Sequence, residues 1–309
     1  MSRISIVTAC RNEEGTVGNL HQQTKYIFDG LRGYSREHIF IDSASTDGTT
    51  AILKAIAQKD KHVRVIVSSR DFGHIRSSFY GLLQARGDAV IFIGADLLDN
   101  PSLIVDFIKK WEQGYGVIVG VSRPGKGFDG MSFVRDRYYA LIERFSEAGI
   151  IRNFTGVGLY DQRVIEILRG IHDPYPYLAG LIGELGFKRA QIEYARPGTK
   201  TGPGKSDFYS RYDLAMLGMI NHSRVPLRLA IMLGVGLSAM CFCAGLGYLM
   251  YKLIFWGRFP AGIAPLVIGF FFLSSVQLSF IGIIGEYAGN ILTQVKKMPM
   301  VIEKERINF

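Results

Sequence analysis

Short apolar runs alternate with polar loops and amphipathic stretches over the first part of the chain, and two long uncharged apolar runs come later. Ile4–Ala9 is apolar and rich in β-branched residues and ends in Arg11-Asn12-Glu13-Glu14, as a strand running into a loop does. Thr16–Leu31 has helical spacing. His38–Ile41 is a second strand that ends in the polar run Asp42 to Thr49, Thr50–Lys59 a second helix and Val63–Val67 a third strand. Ser77–Ala85 predicts a helix, Ala89–Ile93 a fourth strand, Ser102–Gln113 a helix that Pro101 starts, and Val117–Val121 a fifth strand. Phe133–Glu147 and Asp161–Arg169 read as helices and Phe187–Ala195 as a strand. This alternation predicts an α/β domain whose mostly parallel sheet is covered by helices.

Leu229–Tyr251 and Phe259–Gly285 hold no charged residue, and each is long enough to cross a hydrocarbon core of about 30 Å as a helix. Arg224 and Arg228 precede the first run, and Lys296, Lys297, Lys304 and Arg306 follow the second. The connection carries only Lys252 and Arg258, so the bias predicts that both termini are cytoplasmic. Met1–Cys10 lacks the basic and then apolar layout of a signal peptide, which keeps the α/β domain on that side too. The expectation is a multi-pass protein of the inner (cytoplasmic) membrane. Asp207–Ser223 mixes aromatics, Leu and Met with few charges and reads as an amphipathic helix at the membrane interface. Ser275, Ser279, Gly282 and Glu286 share a helical face, and Gly285-Glu-Tyr-Ala-Gly289 is a small-xxx-small pattern. Both predict helix packing and a homo-oligomer, with a tetramer the state in view.

Charge narrows the partners. The formal net charge is +9, and the sequence contains no DNA- or RNA-binding motif, so anionic lipid headgroups and phosphorylated substrates are the expected partners, not nucleic acid. Cys10 ends a strand, Cys241 and Cys243 lie in an apolar run, and none has metal-ligand spacing with a histidine; they read as buried thiols.

In a parallel sheet, ligands bind where strands end. The polar residues cluster there: Asn12 to Glu14, Asp42 to Asp47, and Asp96. Asp96, at the end of Ile91-Phe-Ile-Gly-Ala-Asp96, is a candidate for holding a divalent cation against a diphosphate. Asp99 reads instead as a cap near Pro101. In Asp42-Ser-Ala-Ser-Thr-Asp47-Gly48 the expectation is that Asp47 caps a helix and Asp42 binds a base or ribose. The sequence marks no obvious Ser or Asp to form a triad with His74 or His222, which read as a positioning and an interfacial residue.

Ser5-Ile-Val-Thr-Ala-Cys-Arg-Asn12-Glu13-Glu14, Ile41-Asp42-Ser-Ala-Ser45-Thr46-Asp47-Gly48-Thr49, Ser69-Arg-Asp71-Phe-Gly73-His74 and Ala95-Asp96-Leu97 together resemble family 2 glycosyltransferases of the GT-A, Rossmann-like fold. With the two apolar runs, the chain is similar to bacterial polyprenyl-phosphate glycosyltransferases, relatives of dolichol-phosphate mannose synthase. The resemblance implies inverting transfer of a hexose from a nucleotide sugar, UDP-hexose before GDP-hexose, to a polyprenyl (undecaprenyl) phosphate. It implies Mg²⁺ or Mn²⁺ at Asp96. It implies a nucleotide-sugar site of Ala9, Asn12, Glu14, Asp42, Ser45, Asp71, Gly73, Ala95 and Asp96. It implies, finally, that Arg123, Arg135 and Lys205 contact phosphates, giving a catalytic set of Asp96, Arg123, Arg135 and Lys205. The acceptor phosphate is already anionic, so alignment and charge stabilisation carry the reaction and no strong base is required.

The expected organisation is a GT-A catalytic domain over 1–206, a juxtamembrane amphipathic segment over 207–228, a two-helix transmembrane hairpin over 229–290 and a cytoplasmic tail over 291–309. The chain departs from the pattern in four places. Gly94 stands at the first position of the family's Asp-X-Asp, Leu98 where a Gln is common, Ser43 at the second acidic position of the Asp-Asp-Gly-Ser loop, and the glycines of Thr155-Gly-Val-Gly-Leu-Tyr-Asp161 where many relatives carry an Asp and an Arg. The first two departures define an alternative, a donor-binding or scaffold subunit without turnover. A polysaccharide synthase is a further alternative, opposed by the absence of a Gln-X-X-Arg-Trp motif from the sequence.

Overall fold

The computed structural model describes residues 1–95, 101–122, 154–194 apart from a few positions between 172 and 177, scattered helical residues between 232 and 255, and residues 263–295 and 298–309. The elements in chain order are β1 (Ser2–Cys10), α1 (Val17–Gly30), β2 (Tyr34–Asp42), α2 (Thr49–Lys59), β3 (Val63–Ser68), α3 (His74–Gln84), β4 (Ala89–Phe92), α4 (Leu103–Glu112), β5 (Val117–Ser122), β6 (Phe154–Asp161), α5 (Gln162–Arg169), α6 (Leu178–Glu184), β7 (Arg189–Tyr194), α7 (Ile263–Val295) and β8 (Glu303–Ile307). The helices expected over Phe133–Glu147 and Asp207–Ser223 lie outside the described residues.

The strands form one eight-stranded sheet in the order β7-β5-β6-β4-β1-β2-β3-β8. β4, β1, β2 and β3 are parallel neighbours, as alternation of strands and crossover helices requires. The sheet is mixed beyond them. β6 runs antiparallel between β4 and β5, and β8 runs antiparallel along the outer edge of β3. The expectation of a mostly parallel sheet is corrected to this extent. β6 escapes a pattern reading because its Phe154-Thr-Gly-Val-Gly-Leu-Tyr-Asp161 holds two glycines. Gly158 belongs there because a Cβ at that position would lie 2.6 Å from the Ile118 carbonyl oxygen of β5.

Both faces of the central strands are covered. Ile4, Ile6, Phe40, Val63 and Val65 pack with Val17 and Leu20 of α1 and Leu53 of α2; Val7, Ile39, Ile41 and Ile66 pack with Phe79 and Leu82 of α3.

β2 begins earlier than its apolar run. Arg36, Glu37 and His38 are buried within it, each with a partner that its burial demands. Glu37 accepts from Ser5 Oγ at 2.5 Å and pairs with Arg3 at 2.8 Å and with Arg64. Arg36 pairs with Asp60, and His38 Nε2 meets Thr8 Oγ1 at 3.1 Å.

The chain divides into two compact units, one made of Met1–Ala215 together with Lys297–Phe309, the other of Met216–Lys296. In the second, α7 runs for 33 residues, about 50 Å at 1.5 Å per residue. Among the described residues no helix counts as long and apolar enough to cross a membrane.

Candidate nucleotide-sugar site

The register of the parallel strands brings their carboxyl ends to one rim: Cys10 pairs with Asp42, Asp42 with Val67, and Val7 with Phe92. Ala9 and Ala95 are buried beneath that rim. Three loops rise from it, after β1, β2 and β3; side-chain-to-backbone hydrogen bonds tie the first two together, and an ion pair joins the third.

The first two loops interlock. Asn12 adopts a left-handed backbone with φ 57°. Its Oδ1 accepts from the Thr46 N–H at 2.9 Å and the Thr46 hydroxyl at 3.3 Å, while its own N–H donates to Ser45 Oγ at 3.0 Å. Asparagine tolerates that φ better than most residues, because its short polar side chain bonds locally. Glu14 completes the clasp. Its Oε2 accepts from the Gly48 N–H at 2.8 Å and its N–H donates to Asp47 Oδ2 at 3.3 Å. The Glu13 N–H donates to Thr49 Oγ1 at 2.8 Å.

Asp42 is fully buried and shapes the second loop from within. Its Oδ1 accepts from the Ser45 N–H at 3.0 Å and the Ser45 hydroxyl at 2.6 Å, and its Oδ2 accepts from the Thr50 hydroxyl. The N-cap of α2 is Gly48, not the expected Asp47, but from one residue earlier the Asp47 carboxylate accepts from the Thr49 N–H that opens the helix, at 3.0 Å. Bonds from the Thr49 side chain, and those from the Thr49 and Glu14 backbone, hold the Asp47 carboxyl below its ordinary pKa despite some opposing desolvation. Asp47 therefore carries a negative charge at neutral pH.

The third loop joins through Arg11, whose guanidinium pairs with Asp71. Asp71 Oδ1 also accepts from the Gly73 N–H at 2.8 Å. Gly73 has φ 85°, a backbone that glycine adopts without strain, and α3 starts at the next residue. His74 lies edge-on to Phe92 with ring centroids 6.0 Å apart. Arg11 was not among the expected site residues. Its position beside Asn12 was the available signal, but a partner 60 positions away is not written in any local pattern.

Cys10 lies under the clasp. Burial, followed by the charges of Asp42, Glu13 and Asp47, pushes its thiol well above the ordinary range, so it is a packing group and not a nucleophile.

Of the expected residues, the structure thus brings Ala9, Asn12, Glu14, Asp42, Ser45, Asp71, Gly73 and Ala95 to one rim. Asp96, which follows Ala95 in the chain, and Arg123, Arg135 and Lys205 lie outside the described residues. Among the described residues no group of three His, Cys, Asp or Glu side chains is placed to hold a metal ion. The loops present carboxylates, hydroxyls and backbone groups, with Arg11 drawn onto Asp71. That chemistry suits a ligand rich in hydroxyl and N–H donors, such as a ribose or a base, better than a bare phosphate.

A strand-end rim of this kind on a mixed sheet of this order is the frame of a GT-A, Rossmann-like fold. Residues 5–166 match the family model described as glycosyl transferase family 2, and the chain belongs to that family of enzymes. A bactoprenol glucosyl transferase of Shigella phage SfII is 30% identical over 305 residues, covering 98% of this chain and 98% of the relative. The glycosyltransferase YkcC of Bacillus subtilis strain 168 is 30% identical over 302 residues, covering 96% of this chain and 92% of the relative. The crystal structure of glucosyl-3-phosphoglycerate synthase of M. tuberculosis superposes with a TM-score of 0.50 at 21% identity, over 70% of this chain and 80% of that one. It supports the GT-A fold of the catalytic unit.

Proposed function

We propose that this glycosyltransferase moves a hexose from a UDP-sugar to a polyprenyl phosphate at the cytoplasmic face of a membrane, inverting the anomeric centre. The observation that carries the reading is the three-loop clasp at the ends of β1, β2 and β3, in a chain that aligns along nearly its whole length with a bactoprenol glucosyl transferase. The clasp supplies acceptors for the nucleoside. The diphosphate then belongs on the side of β4, where Asp96 follows Ala95 in the chain. A divalent cation there would neutralise the departing diphosphate. Asp96 is its ligand in this reading, and Gly94 leaves the rest of the shell to water and diphosphate oxygens.

Arg123, Arg135 and Lys205 are assigned to phosphate contacts. Attack by an acceptor oxygen on the anomeric carbon, opposite the leaving diphosphate, forms the new C–O bond as the old one breaks. No proton transfer is needed, because the acceptor is an anion and the leaving group departs as one. Leu229–Tyr251 and Phe259–Gly285 anchor the enzyme beside its lipid acceptor, with both termini cytoplasmic.

The test is transfer of labelled sugar from a panel of UDP- and GDP-hexoses to undecaprenyl phosphate by the purified full chain, with Mg²⁺, Mn²⁺ or EDTA. A labelled lipid from one UDP-hexose, lost in Asp96→Asn and in EDTA, is the expected result. Nucleotide binding with no transfer from any donor would favour a donor-binding subunit without turnover.

A further inference from the structure

The segment that follows the second apolar run returns to the sheet as β8, on the edge next to one loop of the clasp. Its bonding reaches the elements on both sides of that loop. Along β3, Glu303–Ile307 pairs antiparallel, and the ladder is prolonged by the Ser69 N–H donating to the Ile302 carbonyl at 2.9 Å. Ser69 is the first residue after β3 and opens the loop that carries Asp71 and Gly73. On the far side of that loop, the Tyr80 hydroxyl of α3 donates to Glu303 Oε1 at 2.8 Å. Arg306 donates to Glu303 Oε1 at 2.5 Å and to Gln84 Oε1 of α3 at 3.0 Å. The register slip between Val67 and Ser68 brings Glu303 and Arg306, three residues apart, to the same side of the strand.

Further anchors fix β8 to the other face. Lys54 of α2 pairs with Glu305 at 2.5 Å. Asn308 Nδ2 donates to the Ala57 carbonyl at 2.7 Å and to the Val63 carbonyl at 2.8 Å. On the α3 face, the Arg64 and Arg306 guanidiniums lie over the Phe309 ring, 5.2 Å and 4.5 Å from its centroid. A segment needed only to shield an exposed strand edge would not require side-chain bonds to both helices.

We infer that the C-terminal strand is a positioning element for donor binding: by clamping β3 and α3 together, it fixes the Ser69–Gly73 loop and so holds Asp71 where Arg11 meets it. The inference rests on the proposed reading of the clasp as the nucleotide-sugar site. Glu303 is the central positioning residue, because one carboxylate receives both Tyr80 and Arg306.

Two variants of the full-length protein test it: Glu303→Ala, and a chain ending at Met298. For each, the Kd for UDP, the separate KM values for donor sugar and lipid acceptor, and the thermal midpoint are measured, with and without a synthetic peptide of residues 299–309. The expected result is a Kd for UDP and a donor KM raised about tenfold, with the acceptor KM unchanged. Added peptide restores donor binding to the truncated chain by pairing along β3. If the truncated chain does not fold, Glu303→Ala decides. A lower thermal midpoint with unchanged UDP affinity overturns the inference and leaves β8 as a structural edge. Absence of UDP binding by the unmodified protein overturns the donor-site reading and this inference with it; binding that both variants retain in full overturns this inference alone.

Discussion

The Glu14 carboxylate accepts a 2.8 Å hydrogen bond from the Gly48 backbone N–H and so joins the loop after β1 to the start of α2. A Cβ on residue 48 would lie 2.9 Å from the same Glu14 oxygen, so an alanine there displaces the flexible carboxylate end and lengthens the bond. Gly48→Ala therefore weakens the contact that Glu14→Ala removes. A hydrogen bond to a charged group contributes about 1.5–3 kcal/mol, or roughly one to two orders of magnitude in an equilibrium constant. Glu14→Ala is expected to weaken UDP binding by no more than that range and Gly48→Ala by less, both while remaining folded, measured by titration calorimetry. Their double variant is expected to lose little more than Glu14→Ala alone.

Asn12 has two tasks, its left-handed backbone and its bonds to Thr46. Asn12→Gly keeps the first and loses the second; Asn12→Ala loses both. The alanine variant is expected to be the less stable, by about 1 kcal/mol for the strained backbone. Denaturant unfolding of the two variants measures the difference. Equal stabilities would show that the backbone strain has no weight.

Gly158 faces the Ile118 carbonyl, and backbone cannot step aside as a flexible side-chain end does. Gly158→Ala is expected to force β5 from β6 and cost about 1–3 kcal/mol, seen as a lower thermal midpoint. Gly15→Ala, where nothing among the described residues lies within 4 Å of the added carbon, is the matched control and is expected to be near neutral.

His38 is fully buried, and its Nδ1 has no hydrogen-bond partner among the described residues. Burial, then the positive charges of His21 and Arg36, outweighs the opposing pull of Asp60 and holds its pKa well below the usual value. The folded protein therefore binds fewer protons than the unfolded chain below about pH 6.5. Stability is expected to fall as pH drops from that value and to level off only below the folded pKa. His21, lowered first by burial, adds to the same slope. His38→Gln is expected to flatten part of the pH dependence of the thermal midpoint between neutral and mildly acidic solution; an unchanged slope would contradict the assignment.

The parallel core and the first two clasp loops were legible in the sequence because each follows from a local pattern. β-branched runs end in polar residues that want to bond backbone, and Asn12, Asp42 and Asp47 do so. Three features were hidden for a common reason. Arg36 and Glu37 belong to a buried strand only because Arg3, Ser5, Arg64 and Asp60 meet them there. The Arg11–Asp71 pair and the anchoring of β8 are likewise meetings of distant segments. β8 reads as a charged tail, Glu303-Lys-Glu-Arg-Ile307, because an edge strand exposes most of its side chains. The assignments of Asp96, Arg123, Arg135 and Lys205 stand on the sequence resemblance.

The most direct test of the central claim is acceptor choice. Purified full-length protein is given labelled UDP-glucose, a divalent cation and, in parallel, undecaprenyl phosphate, undecaprenol and 3-phosphoglycerate, and the label is partitioned between organic and aqueous phases. The account predicts labelled product in the organic phase with undecaprenyl phosphate alone, as a lipid phosphosugar of inverted anomeric configuration. Labelled product from undecaprenol, or from the soluble phosphate in preference to the lipid, would contradict it.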